Sequence, residues 1–163
     1  MTSSSQTSIP ATSPGDRLWD TTVGGDLAFL LARANAISLS RANGALADHG
    51  LKVRSYSVLA LAANDARPSQ RELSEFLRLD PSQIVSLVDE LESGGLVQRE
   101  ADPSDRRANV VVITDKGRAA FVEARATISG AEHAAFAGLT TADRERLTAM
   151  LRLIAGAPDD LPA

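Results

Sequence analysis

One stretch of the chain narrows the possible folds more than any other. Ser69 with Glu72, and Asp80 with Pro81 and Gln83, form two helix-start signals in quick succession. The first has capping-box spacing. The second is a cap residue, a proline at the first helical position and an amide three residues past the cap. Each opens an apolar stripe of helical period: Leu73, Phe76 and Leu77 after the first, then Ile84, Leu87, Val88 and Leu91. Gly94 and Gly95 stop the second helix. Two strand-like segments follow, Leu96 to Glu100 and the almost purely β-branched Asn109 to Ile113, joined by a polar loop. Two short helices, a tight turn between them and a hairpin directly after make the plan of a winged helix-turn-helix. The expected fold is mainly α with a small β-hairpin wing.

The flanks read as helices. Residues 1–15 are rich in Ser, Thr and Pro without apolar periodicity, as expected of a disordered tail. Asp16 to Thr22 suits a short helical turn carrying Trp19, stopped at Gly24 and Gly25. From Asp26, a plausible cap, Leu27, Leu30, Leu31, Ala34 and Ile37 recur at helical spacing to about Asp48, and Gly50 ends the run. Val53 to Asn64 gives a further helix with Tyr56, Leu59 and Ala63 on one face. After the hairpin, Thr114 starts a helix running to about Phe136. Thr140 and Asp143 open the last one, whose apolar face is Leu147, Met150, Leu151 and Ile154.

Composition removes several function classes. The 163 residues include no cysteine, which excludes disulfides, thiolate metal sites and a thiol nucleophile. His49 and His133 alone make a poor metal site, so no metal and no cofactor are expected. The carboxylates have no accompanying nucleophile, phosphate-cradling Gly loop or metal set, which argues against an enzyme. No apolar run is long enough for a bilayer, and the N-terminus lacks the basic and apolar regions of a secretory signal. The expectation is a cytoplasmic protein with no membrane partner.

The net charge of −4 argues against a nucleic-acid partner at first sight, because phosphate contacts need Lys and Arg. What decides binding is where the cations sit. On the second helix of the pair, the apolar stripe leaves Ser82, Gln83, Ser86, Asp89 and Glu90 outward, and Ser and Gln can bond base edges or phosphates. The hairpin loop carries Asp102, Asp105, Arg106 and Arg107. An Arg at its tip can enter a narrow minor groove, with Asp105 orienting a guanidinium. Arg99, Lys116 and Arg118 flank the same feature. Gln70 and Arg71, at the start of the first helix of the pair, are placed to touch phosphates. Asp89 and Glu90 should weaken affinity where they face DNA, and Glu90 is expected to face away. Arg54 and Tyr56 could hold a carboxylate and a phenol edge of a ligand; phosphate contact and core packing are the alternatives. Trp19 could line a ligand pocket, although an interface tryptophan is the simpler reading.

The stretch RELSEFLRLDPSQIVSLVDELESGGLVQREADPSDRRANVVVITDKG resembles the multiple antibiotic resistance regulator (MarR) family. LVDELESGGLVQR and DPSDRR, followed by an apolar strand and T-D-K-G, are its most specific parts. The resemblance implies a homodimer in which 16–50 and 114–163 supply dimerisation helices and 51–113 the winged helix-turn-helix. Two copies of the recognition helix would read a pseudo-palindromic operator on double-stranded DNA. In the family pattern Asp105 and Arg107 work as a pair. The family also implies a small, often aromatic, anionic effector that weakens DNA binding, hence a repressor released by ligand. A competing reading keeps the fold but makes it a protein-partner or small-molecule binding module with weak DNA affinity.

Overall fold

The computed structural model describes residues 15–64, 66–102 and 108–158. The chain divides into two compact units after Ser38. The first contains a one-turn helix α1 (Asp16–Trp19), a 3-10 turn over Thr22–Gly25 and the opening of α2 (Leu27–Leu46). Asp26 starts α2, its side chain accepting from the Ala28 N–H at 2.9 Å. Trp19 sets its ring edge-on to Phe29 at 6.4 Å, and the Arg33 guanidinium lies over its face at 5.1 Å. Gly24 permits this packing, because a Cβ there would sit 2.1 Å from the Trp19 carbonyl oxygen.

The second unit continues with α3 (Val53–Ala62), α4 (Gln70–Leu77), α5 (Pro81–Ser93), strands β1 (Val97–Ala101) and β2 (Asn109–Ile113), α6 (Asp115–Ala135) and α7 (Thr141–Ile154). The strands pair antiparallel, from Val97 opposite Ile113 to Ala101 opposite Asn109. The first strand begins one residue later than the sequence suggests. Leu96 donates its N–H to the Leu91 carbonyl at 2.9 Å and so completes the end of α5. Ser69 forms a third, single-residue bridge to Val110, with the Val111 N–H on the Pro68 carbonyl at 2.8 Å. The wing is thereby stitched to the start of α4.

The core lies where the sequence pattern puts it. Leu73 from α4, Ile84, Val88 and Leu91 from α5, Val97 and Val111 from the hairpin, and Val58 and Leu59 from α3 are all buried together. Phe76 is the exception. It was expected on the buried face of α4 yet is 74% exposed, because this short helix buries only Leu73.

The T-D-K-G segment locks the base of the wing to α5 and α6. Thr114 caps α6, its hydroxyl accepting from the Gly117 N–H at 2.9 Å and donating to the Gly95 carbonyl at 2.7 Å. Lys116 Nζ donates to the Gly94 carbonyl at 2.7 Å, so this flanking cation serves the turn after α5. A Cβ on Gly117 would lie 1.9 Å from the Leu96 carbonyl oxygen and 2.9 Å from Ile113 Cγ1. Only glycine lets helix and hairpin approach this closely.

Candidate nucleic-acid interface

The candidate interface comprises α4, α5 and the base of the wing. The capping box at the start of α4 forms as its spacing predicts. The Ser69 hydroxyl accepts from the Glu72 N–H, and the Glu72 carboxylate accepts from the Ser69 N–H and hydroxyl, both at 2.7 Å. The Ser69 hydroxyl, then its backbone N–H, holds the Glu72 carboxyl below its ordinary pKa. Helix α5 starts differently. Asp80 is its cap residue and Pro81 sits in its first turn, but no side-chain cap bond forms. Pro81 presets φ and removes an N–H that would need a partner, so the helix starts without one. The Gln83 side chain is consequently uncommitted to capping, and exposed.

Ser82, Gln83 and Ser86 all lie outward, as does Val85 at 44% exposure. Ser86 donates its hydroxyl to the Ser82 carbonyl at 3.0 Å, leaving its lone pairs outward. Toward the C-terminal half of α5, Arg99 of β1 gathers the acids. Its Nη2 lies 2.6 Å from Asp89 Oδ1, its Nη1 pairs with Glu92 Oε2, and its N–H bonds Glu92 Oε1 at 2.9 Å. Its Nε donates to Gln70 Oε1 at 2.9 Å. Partial burial opposes the Arg99 charge, but bonds to Asp89 and Glu92 outweigh it and hold the pKa above the ordinary value. Asp89 and Glu92 are therefore paired within the protein itself. The Glu90 side chain is exposed and forms no hydrogen bond or ion pair among the described residues.

Arg99 and Gln70 thus form one cluster joining β1, α4 and α5, and Arg99 is spent on internal carboxylates. Arg71 is exposed and pairs with Glu75, one turn along α4, at 2.9 Å. Asp105, Arg106 and Arg107 lie outside the described residues. Arg118 donates to the Ala63 carbonyl at 3.4 Å, which ties α6 to the end of α3.

Of the three ligand candidates, Arg54 and Tyr56 belong to the second unit and do not share a face. Trp19 belongs to the first unit. Arg54 and Tyr56 are two residues apart on α3, which points them to nearly opposite sides of a helix. Arg54 is exposed, whereas Tyr56 is half-buried and stacks on Phe121 of α6, ring centroids 5.9 Å apart. Burial pushes the Tyr56 hydroxyl up, opposed by the nearby Arg125 cation. Arg125 of α6 is thus a cation that acts on the Tyr56 hydroxyl. The two histidines stand apart: His49 bonds the Thr127 hydroxyl at 2.9 Å, and His133 accepts from Arg144 at 3.2 Å.

A helix-turn-helix with a stitched hairpin and an open, polar recognition helix has close counterparts. Residues 49–108 match the MarR family. A MarR-family transcriptional regulator from Rhodococcus sp. RHA1 superposes with a TM-score of 0.77 at 41% identity, over 81% of this chain and 94% of its own. The chain belongs to the MarR family. Within that family it is also similar to CouR from Rhodococcus jostii RHA1, solved bound to p-coumaroyl-CoA. That match is at 40% identity and TM-score 0.76, over 88% of this chain and 99% of the other. A Thauera aromatica protein named for transcriptional regulation of the hcr operon is 28% identical over 94% of this chain and 93% of its own. The family assignment makes this chain a DNA-binding transcription regulator. MarR relatives are regulators, and no helix among the described residues is long and apolar enough to cross a membrane.

Proposed function

We propose that the protein is a homodimeric repressor, acting in the cytoplasm on a pseudo-palindromic operator and released by a small aromatic anion or its CoA thioester. The observation that carries this reading is the open start of α5. Ser82, Gln83 and Ser86 are exposed together, and Asp89 beyond them is neutralised by Arg99. Hydroxyl and amide groups on that face suit base edges in a major groove wide enough for one helix. With no cation among those three residues, phosphate affinity has to come from neighbouring residues. Arg71 and the wing residues Arg106 and Arg107 are our candidates, with Asp105 orienting a wing guanidinium.

The dimer reading assigns 16–50 and 114–163 to the pairing surface and 51–113 to DNA. Its support is the apolar surface that α7 leaves open, since Met150, Leu151, Leu153 and Ile154 are all exposed. The effector reading draws on the p-coumaroyl-CoA seen in the Rhodococcus relative. The Tyr56–Phe121 stack offers rings to a planar anion, and Arg125, whose charge acts on the Tyr56 hydroxyl, is the candidate cation. A ligand that fits only one spacing of the two recognition helices shifts the population toward it.

Selection of duplexes from a random pool with purified protein tests the assignment. A palindrome with half-sites about one helical turn apart, roughly 34–36 Å, is expected. Binding should weaken steeply as salt rises, and p-coumaroyl-CoA or p-coumarate should release the duplex. Flat, feeble binding by folded protein would instead favour a partner-docking module. Binding indifferent to both compounds would remove the effector class proposed here.

A further inference from the structure

Two arginines of the second unit adopt left-handed backbone, Arg67 at φ 45° and Arg78 at φ 53°. An L side chain is strained there, whereas glycine is not. At Arg67 the strain has an internal counterpart. Its Nη2 meets Glu100 Oε2 at 2.5 Å, fastening the approach to α4 onto β1. Arg78 has no such counterpart. It caps the C-terminal end of α4 with its N–H on the Ser74 carbonyl. Its side chain is exposed and makes no hydrogen bond or ion pair among the described residues. A cap of this kind needs only backbone, and glycine is the residue that supplies it most easily.

The location gives the side chain a use. Arg78 occupies the turn between α4 and α5, just ahead of the exposed Ser82 and Gln83. Of the other cations of the helix pair and wing base, Arg99 is held by Asp89 and Glu92, and Arg71, still exposed, shares its charge with Glu75. We infer that Arg78 is a phosphate-binding residue, gripping the DNA backbone beside the groove that α5 enters, and that the turn keeps a strained arginine for this contact. The inference rests on the DNA-binding reading above. It also explains how a recognition helix without an outward cation near its start is held on a polyanion.

The test compares the wild-type chain with Arg78→Gly and Arg78→Lys, on the selected duplex and on an unrelated duplex of equal length. Arg78→Gly should raise Tm by about 2–4 °C, because it relieves the left-handed strain. The same variant should bind both duplexes more weakly, since a phosphate contact carries no sequence information. Its slope of log affinity against log salt should be shallower by about 0.9 per protomer. Arg78→Lys should keep most of the slope. Stabilisation and weakened binding in one variant cannot come from general damage to the fold. Unchanged affinity or an unchanged slope in Arg78→Gly overturns the inference while leaving the family's DNA role intact. Wild-type protein that binds neither duplex overturns both.

Discussion

Helices α5 and α7 are nearly equal in length, 13 and 14 residues, and each carries one apolar stripe. The stripe of α5 vanishes into the core, with Ile84 and Val88 fully buried and Leu91 at 2% exposure. That of α7 stays largely in water: Met150 is 55% exposed, Leu151 40% and Ile154 71%, and no residue of the helix is buried. The contrast teaches that an apolar stripe says a face must leave water, without saying what covers it. For α5 the cover is the hairpin, α3 and α4 of the same chain. For α7, under the dimer reading, it is a second copy.

Helix α6 contains both situations, and two identical substitutions in it should have opposite signs. Gly117→Ala pushes a Cβ into the Leu96 carbonyl, a backbone atom that cannot swing aside. A loss of about 3 kcal/mol is expected in urea unfolding, at the upper end of overpacking costs. Gly130→Ala meets nothing within 4 Å and lies inside the same helix. It should gain about 0.5–1 kcal/mol from helix propensity alone. Should Gly117→Ala prove neutral, the tight seam between α6 and the wing is not a fixed feature of the fold.

The second break in the comparison targets α7. The pair Met150→Glu and Ile154→Glu leaves the core of the second unit untouched, since neither side chain is buried. Charges placed on a face that a second copy must cover should raise the dimer dissociation constant by about 30-fold, the equivalent of roughly 2 kcal/mol. Sedimentation at micromolar concentration would show it, with helical circular dichroism preserved. Unchanged sedimentation would mean that α7 does not form the pairing surface.

Much of this architecture is legible in the sequence. The β-branched run Asn109 to Ile113 gave a strand with those bounds, and the spacing of Ser69 and Glu72 gave a closed capping box. Such features depend on residues close in sequence. The misreadings share another cause. Phe76 follows the helical period of its neighbours yet is 74% exposed while Leu73 is 1%, because the period marks a face without saying which of its side chains is covered. Arg99 was legible as a cation near the wing. Its pairing with Asp89 and Glu92 exists only after the chain reverses at Gly94 and Gly95, which no local pattern encodes. The left-handed Arg78 shows as weakly, because a helix that stops on a residue other than glycine gives no composition signal at its end.

The smallest effect separates the two helix starts of the same kind. Ser69 caps α4, and Thr140 caps α7 by accepting from the Asp143 N–H at 3.2 Å. Loss of either hydroxyl removes one cap, worth about 1 kcal/mol where the helix end is coupled to global unfolding. Ser69 is so coupled, through its bridge to Val110 and the buried Leu73 one turn on. Ser69→Ala should therefore register nearly in full by urea unfolding at pH 7. Thr140→Ala should cost less in a chain held monomeric, since α7 can fray without opening the core. Acid supplies the control. Because folding lowers the Glu72 pKa, the stability it contributes is present above its unfolded value and fades as pH falls toward the folded one. Over that acidic window the gap between wild type and Ser69→Ala should close, whereas Glu72→Gln, which can still accept the Ser69 N–H, should lose the acid dependence and keep most of the cap. Equal losses from Ser69→Ala and Thr140→Ala at pH 7 would show that α7 is bound into the cooperative core after all.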